Sequence, residues 1–219
     1  MTKSVSALAV GGIDAHNTRM SPSIIWNGWL ECARHCPSPN YNARPSACWP
    51  EMLVVHNISL PPGCFDTGDI EALFCNKLDC SRDPSFAELQ GLEVSAHFLI
   101  DRNGVLTQFV SCLDRAWHAG VSSWSDRVNC NDFSIGIELE GTDSLSYEKI
   151  QYEVLSHLIV ELRSCIPTLA PGPIVGHSDI APGRKTDPGQ AFDWARLRSL
   201  LRARNNPSAR SPIEESIAR

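Results

Sequence analysis

The chain has 219 residues, of which 42% are apolar and 20% charged, a balance typical of a globular domain with its own core. Its net charge of −6 predicts no basic surface, so we expect no nucleic-acid partner. No apolar run approaches the roughly 20 residues that cross a bilayer, and we expect no membrane association.

The two ends of the chain are predicted to be tails around a single domain. Residues 1–26 have no sustained hydrophobic period, and residues 205–219 are polar with two prolines, which leaves residues 27–204 for the domain. The first seventeen residues resemble a signal peptide only weakly, because the apolar stretch is short and Asp14 follows early. Nine cysteines without a C-x-x-C pair exclude a zinc ribbon or thioredoxin motif and predict a reduced, cytoplasmic protein.

The first half of the chain alternates between helical and extended patterns. The patterns predict a short helix over 28–35, a buried strand over 52–58, a short helix over 68–78, and strands over 94–100 and 105–111. Asn103-Gly104 between the last two strands is a hairpin signal.

The second half contains the clearest helix. The patterns predict a strand over 133–140, this helix over 146–167, a short strand over 173–177, and a final helix over 192–204 capped by Asp193. In the long helix, Ser146 is the predicted cap, Pro167 the stop, and one face is formed by Ile150, Val154, Leu158 and Leu162. The mixture predicts an α/β or α+β fold built around one sheet.

Four of the seven histidines are candidates for chemistry. His16 lies in a predicted tail and His35 and His157 on predicted helices, which leaves His56, His97, His118 and His177. His56 and His177 end predicted strands, where sheet proteins collect site residues. A core histidine with satisfied hydrogen bonds is the structural alternative for His56.

A zinc site is one way to use these histidines. Catalytic zinc takes three protein ligands, commonly histidines and a carboxylate. His56 and His177 with one nearby aspartate meet that count, but the pattern does not choose between Asp179 and Asp187 and does not exclude His97.

The stretch Ser-Ile-Gly-Ile-Glu-Leu-Glu over 134–140 contains a candidate general base. Alternation along a strand places Glu138 and Glu140 on one face, opposite an apolar face. A general base must be held near the proton that it takes. A solvent-facing strand surface accounts for the pattern equally well.

Five stretches in order carry a resemblance to a known family, over about Trp29 to Leu200. They are VVHNISLPPG, VSAHFLI, RAWHAGVS, CNDFSIGIELEGTD and GHSDIAPGRKTDPGQAFDWARLR. Together they resemble the AmpD-type 1,6-anhydro-N-acetylmuramyl-L-alanine amidases of cell-wall recycling. That family is related to T7 lysozyme and the peptidoglycan recognition proteins.

The resemblance implies a fold, a cofactor and a set of site residues. It implies a central mixed β-sheet flanked by helices, with one Zn²⁺ per chain in a surface groove. It places the metal ligands on His56, His177 and Asp187, the catalytic groups on Glu138 and Lys185, and substrate contacts on Asn57 and Trp117.

The implied activity is hydrolysis of the amide between anhydro-N-acetylmuramic acid and L-alanine. It would be carried out by a cytoplasmic monomer on a small anhydromuropeptide, and it would limit β-lactamase induction where that is inducible. The alternatives are an exported amidase acting on intact peptidoglycan and a non-catalytic muropeptide-binding protein. The sequence departs from the family pattern at Glu93, where some members have an arginine suited to a peptide carboxylate.

Overall fold

A computed structural model describes residues 25–205 of the chain. The signal-like segment, His16 and almost all of both predicted tails lie outside the described residues. Among the described residues, no helix combines the length and the apolar character needed to cross a bilayer.

Twelve strands and four helices make up the described part of the chain. The strands are β1 Ile25–Trp26, β2 Trp29–Leu30, β3 Arg34–His35, β4 Tyr41–Ala43, β5 Met52–Ile58, β6 Phe98–Ile100, β7 Leu106–Gln108, β8 Asp114–Ala116, β9 Ser123–Trp124, β10 Arg127–Val128, β11 Ser134–Glu140 and β12 Ile174–Gly176. The helices are α1 Asp69–Phe74, α2 Lys149–Cys165, α3 His177–Ile180 and α4 Trp194–Asn205. Short 3₁₀ helices lie at Pro84–Leu89, Cys130–Asp132 and Pro167–Leu169.

Six strands form one mixed sheet in the order β12-β5-β11-β6-β7-β3. The four strands from β12 to β6 run parallel to their neighbours, and β7 returns antiparallel to β6. Because parallel strands end at the same edge, the last residues of β12, β5 and β11 lie close together. The prediction of a central mixed sheet flanked by helices is confirmed.

Alternate residues of the central strands divide between two apolar layers. Leu53 and Val55 of β5 join the main cluster, in which α2 and α4 cover one face of the sheet. Met52 and Val54 of the same strand join a smaller cluster on the other face. Loops and short elements therefore cover this second face. The His56 side chain lies on the same face, because it continues the alternation of Met52 and Val54 along β5.

The predicted helix over 28–35 is wrong. The segment forms β2 and β3 instead, after a turn in which Gly28 adopts a φ of 82°. The Leu30 N–H group donates to the Gln108 side chain at 2.8 Å, and β3 pairs with β7. These long-range contacts override the local helical pattern, so His35 lies on a strand. The hairpin between β6 and β7 forms as predicted.

Helix α2 forms where the sequence predicts it, but its cap and its buried face differ from the prediction. Glu148 caps the helix in a capping box, and its N–H group donates to the Gln151 side chain at 2.9 Å; Ser146 does not cap it. Ile150, on the predicted buried face, is 43% exposed, whereas Leu155 and Ile159 are fully buried. Helix α4 starts after Asp193 as predicted, because its carboxylate accepts from the Arg196 N–H group at 2.9 Å.

Candidate metal centre

Three side chains bring one donor atom each to a common point at the carboxyl edge of the sheet. The Nδ1 atoms of His56 and His177 lie 2.9 Å apart. The Asp187 Oδ2 atom lies 3.1 Å from the first and 3.0 Å from the second. All three residues were predicted as ligands, and the fold brings them together from positions up to 131 residues apart.

The backbone delivers these side chains through adjacent parallel strands and one tight loop. His56 lies near the end of β5, and His177 is the first residue of α3, directly after β12. Gly183, with a φ of 77°, turns the loop that follows α3. The Ser178 N–H group then donates to the Asp187 backbone carbonyl at 2.9 Å, which fixes Asp187 beside His177.

The proton positions leave acceptor atoms at the centre of the cluster. The His177 Nε2 atom lies 3.0 Å from the Ala119 carbonyl, so Nε2 carries the proton and Nδ1 presents a lone pair. Burial lowers the pKa of His56 to about 4, so this ring is neutral at pH 7.

The donor set fits a zinc ion. Two imidazole nitrogens and one carboxylate oxygen are ligands that zinc takes in catalytic sites with three protein ligands. Three acceptors about 3 Å apart in a mostly buried site repel one another, and a divalent cation between them removes that repulsion.

Glu138 is a buried carboxyl next to the three ligands. Its backbone is the register partner of His56 in the parallel β5–β11 pair. Among the described residues, its Oε2 atom has no hydrogen-bond partner, although it is buried. Burial raises the pKa of Glu138 well above its usual value, Asp187 adds to the rise, and Lys185 opposes it. Glu138 is therefore a buried carboxyl beside the cluster whose neutral form is favoured and whose Oε2 atom is not used by the fold.

Glu140 lies two residues further along the strand in different surroundings. Its Oε1 atom accepts from the Asp66 N–H group at 2.8 Å, and its Oε2 atom accepts from the Arg102 N–H group at 3.2 Å. Both oxygens thus hold loops through backbone N–H groups. Glu140 is therefore neither on a solvent-facing strand surface nor part of the metal cluster.

Lys185 supplies positive charge at the rim of the centre. Its backbone N–H group donates to the Ala181 carbonyl at 3.0 Å, but within residues 25–205 its ammonium group makes no hydrogen bond. Its charge lowers the pKa values of both His56 and Glu138 as a minor contribution beside burial. An exposed ammonium group near these residues is available to a ligand.

The two alternative ligands left open by the sequence have structural partners. The Asp179 Oδ2 atom accepts from the Gly176 N–H group at 2.7 Å and so caps α3. The His97 Nδ1 atom accepts from the Gly136 N–H group at 3.0 Å, and its Nε2 atom lies 3.1 Å from the Asp114 carbonyl. Neither side chain joins the cluster of donor atoms.

The side chains of the two predicted substrate contacts are both held by hydrogen bonds. Asn57 follows His56, and its amide donates to the Asp143 carboxylate at 2.8 Å. Trp117 is partly exposed, and its indole N–H group donates to the Asn42 side chain at 2.7 Å.

The sequence left His118 among the candidate histidines without assigning it a role, and its Nδ1 atom lies 2.9 Å from the His56 Nε2 atom. The signal for it in the sequence was weak. That signal was Gly136, because a glycine inside a strand often marks a place where another group approaches the backbone closely. A methyl group on Gly136 would overlap the His118 ring.

Comparison with known proteins identifies the family. The profile of the family described as N-acetylmuramoyl-L-alanine amidase matches residues 45–190. The chain is 54% identical over 178 residues to the 1,6-anhydro-N-acetylmuramyl-L-alanine amidase AmpD of Escherichia coli, covering 81% of this chain and 97% of that protein. The chain belongs to the N-acetylmuramoyl-L-alanine amidase family.

Solved structures agree with this amidase assignment. A crystal structure of a selenomethionine derivative of AmpD matches 81% of this chain and 99% of its own, with a TM-score of 0.79 and 52% identity. AmpDh3 from Pseudomonas aeruginosa, in complex with anhydromuramic pentapeptide, matches 72% of this chain and 63% of its own, with a TM-score of 0.51 and 30% identity. The resemblance predicted from five motifs is confirmed, and the protein is an amidase.

Proposed function

We propose that this amidase hydrolyses the amide between anhydro-N-acetylmuramic acid and L-alanine in small anhydromuropeptides. The observation that carries the proposal is the cluster of His56, His177 and Asp187, with the unpartnered Glu138 carboxyl in register beside it. The name of the E. coli relative states this substrate, and the P. aeruginosa relative holds an anhydromuramic peptide.

His56, His177 and Asp187 would hold one zinc ion through the three atoms that converge. When bound at such a site, zinc polarises the amide carbonyl and lowers the pKa of a bound water to about 7. The ligand charges support this use, since two neutral imidazoles and one carboxylate leave a net positive centre around a divalent ion.

Glu138 would act as the general base and then as the general acid. In the first role its carboxylate takes the proton of the attacking water, and in the second it gives a proton to the leaving amine of L-alanine. Its buried, unpartnered Oε2 atom supports this role, because no structural hydrogen bond has to break. The pKa of Glu138, raised by burial, favours uptake of the proton from the water.

Lys185 would stabilise the negative charge that develops on the amide oxygen. Its ammonium group is exposed and close enough to lower the pKa of Glu138 through its charge. A fixed cation at the position of a developing oxyanion is among the larger contributions to hydrolytic rates.

Asn57 and Trp117 would contact the substrate on either side of the centre. The Asn57 amide donates to the Asp143 carboxylate, and this hydrogen bond would hold the rest of the Asn57 amide toward a ligand. Trp117 is partly exposed and could offer its ring to the sugar. We propose residues 27–204 as the catalytic domain, acting as a monomer in the cytoplasm.

The test is product analysis with purified, zinc-analysed protein and a defined anhydromuropeptide. We expect one zinc per chain and release of a peptide that begins with L-alanine, with the anhydro sugar as the second product. The same peptide on ordinary N-acetylmuramic acid should be cut much more slowly. Equal rates on both sugars would indicate a general peptidoglycan amidase, and tight binding without cleavage would indicate a muropeptide-binding protein.

A further inference from the structure

His118 is held firmly beside a metal ligand without belonging to the ligand set. Its backbone N–H group and that of Ala119 both donate to the Asn131 Oδ1 atom, at 3.1 and 2.8 Å. Gly136 leaves the space on β11 that the ring occupies. With its backbone and its packing both fixed, the ring has a defined direction, and its Nδ1 atom lies 2.9 Å from the His56 Nε2 atom.

The protons of this contact can be assigned from the far end of a hydrogen-bond chain. The Ser134 hydroxyl has one proton, and it donates to the Cys130 carbonyl at 2.6 Å. The Ser134 Oγ atom also lies 3.2 Å from the His118 Nε2 atom, and in this contact it must accept. The His118 proton is therefore on Nε2, and its Nδ1 atom is a bare acceptor.

The assignment continues to the metal ligand. A bare Nδ1 atom on His118 requires the His56 Nε2 atom to carry a proton, because the two nitrogens lie at hydrogen-bond distance. A neutral imidazole has a single N–H group, so the His56 Nδ1 atom then presents a lone pair to His177 and Asp187.

We propose that His118 is a positioning residue that fixes the tautomer and the ring direction of His56 for metal binding. It does so through the chain His56–His118–Ser134–Cys130 carbonyl, and it touches neither the metal nor the substrate. The inference rests on the zinc site of the proposed function. Histidine ligands generally donate their second N–H group to a fixed acceptor, which orients the ring and raises its basicity.

The other histidine ligand is oriented in a different way. The His177 Nε2 atom lies 3.0 Å from the Ala119 backbone carbonyl, which no side-chain substitution removes. The orientation of His56 depends instead on the side chains of His118 and Ser134, so it can be altered by mutation at a distance from the metal.

The experiment measures zinc affinity by chelator competition in the wild type, His118→Phe and His118→Asn. Phenylalanine keeps a ring of similar size but removes the acceptor, and zinc affinity should fall about 10–100-fold. Asparagine places a carbonyl oxygen near the position of Nδ1, and most of the affinity should return. Equal affinity in all three proteins would overturn the proposal.

A second measurement reads the tautomer directly. Nitrogen-15 spectra of the histidine rings in chelated wild type should show His56 protonated on Nε2, and a proton on Nδ1 would overturn the proposal. If His118→Phe does not fold, Ser134→Ala replaces it and should weaken zinc binding in the same direction. If the wild type binds no zinc, the proposed function fails, whereas the tautomer measurement still decides the role of His118.

Discussion

The regions around Glu138 and Glu140 lie two residues apart on one strand but hold a carboxylate in opposite ways. Glu140 accepts backbone N–H groups on both oxygens, from Asp66 and Arg102. Glu138 is nearly as buried, yet its Oε2 atom has no partner among residues 25–205. The strand pattern assigns both side chains to the same face, so only the partners separate a carboxylate that supports the fold from one that is available for chemistry.

The loop after β12 repeats this division. The Asp179 carboxylate accepts from the Gly176 N–H group and caps α3, whereas the Asp187 carboxylate faces His56 and His177. Each candidate site carboxylate thus has a nearby residue of the same type with a structural role. These pairs provide matched controls for mutagenesis.

The largest expected effect is at the metal ligands. Asp187→Ala or His177→Ala removes one of three donors, so stoichiometric zinc and amidase activity should both be lost. Asp179→Ala removes only a cap and should keep its zinc, with a stability cost of roughly 0.5–2 kcal/mol. Metal analysis after dialysis decides between them, and full zinc in Asp187→Ala with loss in Asp179→Ala would refute our choice of ligand.

The next effect is at the carboxylates of β11. Glu138→Ala should keep zinc but lower kcat by about 10²–10⁴-fold, because a positioned proton-transfer group is lost. Glu140→Gln should keep a kcat close to that of the wild type, since its oxygens hold the Asp66 and Arg102 backbones. Steady-state kinetics on zinc-loaded variants provide the measurement. Near-normal kcat in Glu138→Ala, with a collapse in Glu140→Gln, would show that Glu140 and not Glu138 is the catalytic carboxylate.

Lys185 should affect turnover more than substrate binding. Lys185→Ala should lower kcat by about 10²–10³-fold with a smaller rise in KM, because its charge meets an oxyanion present only in the transition state. Lys149→Ala is the control, since Lys149 is also exposed but begins α2, which packs on the other face of the sheet. A rise in KM with an unchanged kcat would show that Lys185 binds the substrate and does not stabilise the transition state.

The sequence predicts those elements whose pattern is set locally. β5 forms as predicted because its continuous apolar run suits a buried strand, and β11 forms where alternating apolar residues predict a strand. α4 starts at its predicted cap. The segment over 28–35 could not be predicted, because pairing between β3 and β7 decides its structure. In α2 the four-residue period assigned Ile150 to the core, whereas the buried face is set by packing against the sheet.

The sequence predicted only part of the site. Their places at the ends of predicted strands indicated His56 and His177 as candidates, and the family resemblance was needed to choose Asp187 over Asp179. The contact between His118 and His56 joins residues 62 positions apart. Such a contact depends on how a loop crosses a glycine on a neighbouring strand, which no local pattern encodes.

The smallest expected effect concerns the stability of the metal-free protein and has the opposite sign to the loss of activity. The folded-state pKa of Glu138 is raised because burial disfavours its charge, so ionisation of this residue destabilises the fold. The cost is absent below the unfolded pKa of about 4.3 and grows as pH rises toward the folded pKa.

Glu138→Gln should therefore raise the free energy of unfolding by about 1–3 kcal/mol at pH 7, and by little at pH 4. Urea unfolding in the presence of a chelator measures this change. Glu140→Gln should gain nothing, because an amide nitrogen cannot accept from a backbone N–H group, and equal gains in both variants would contradict the distinction between the two carboxylates.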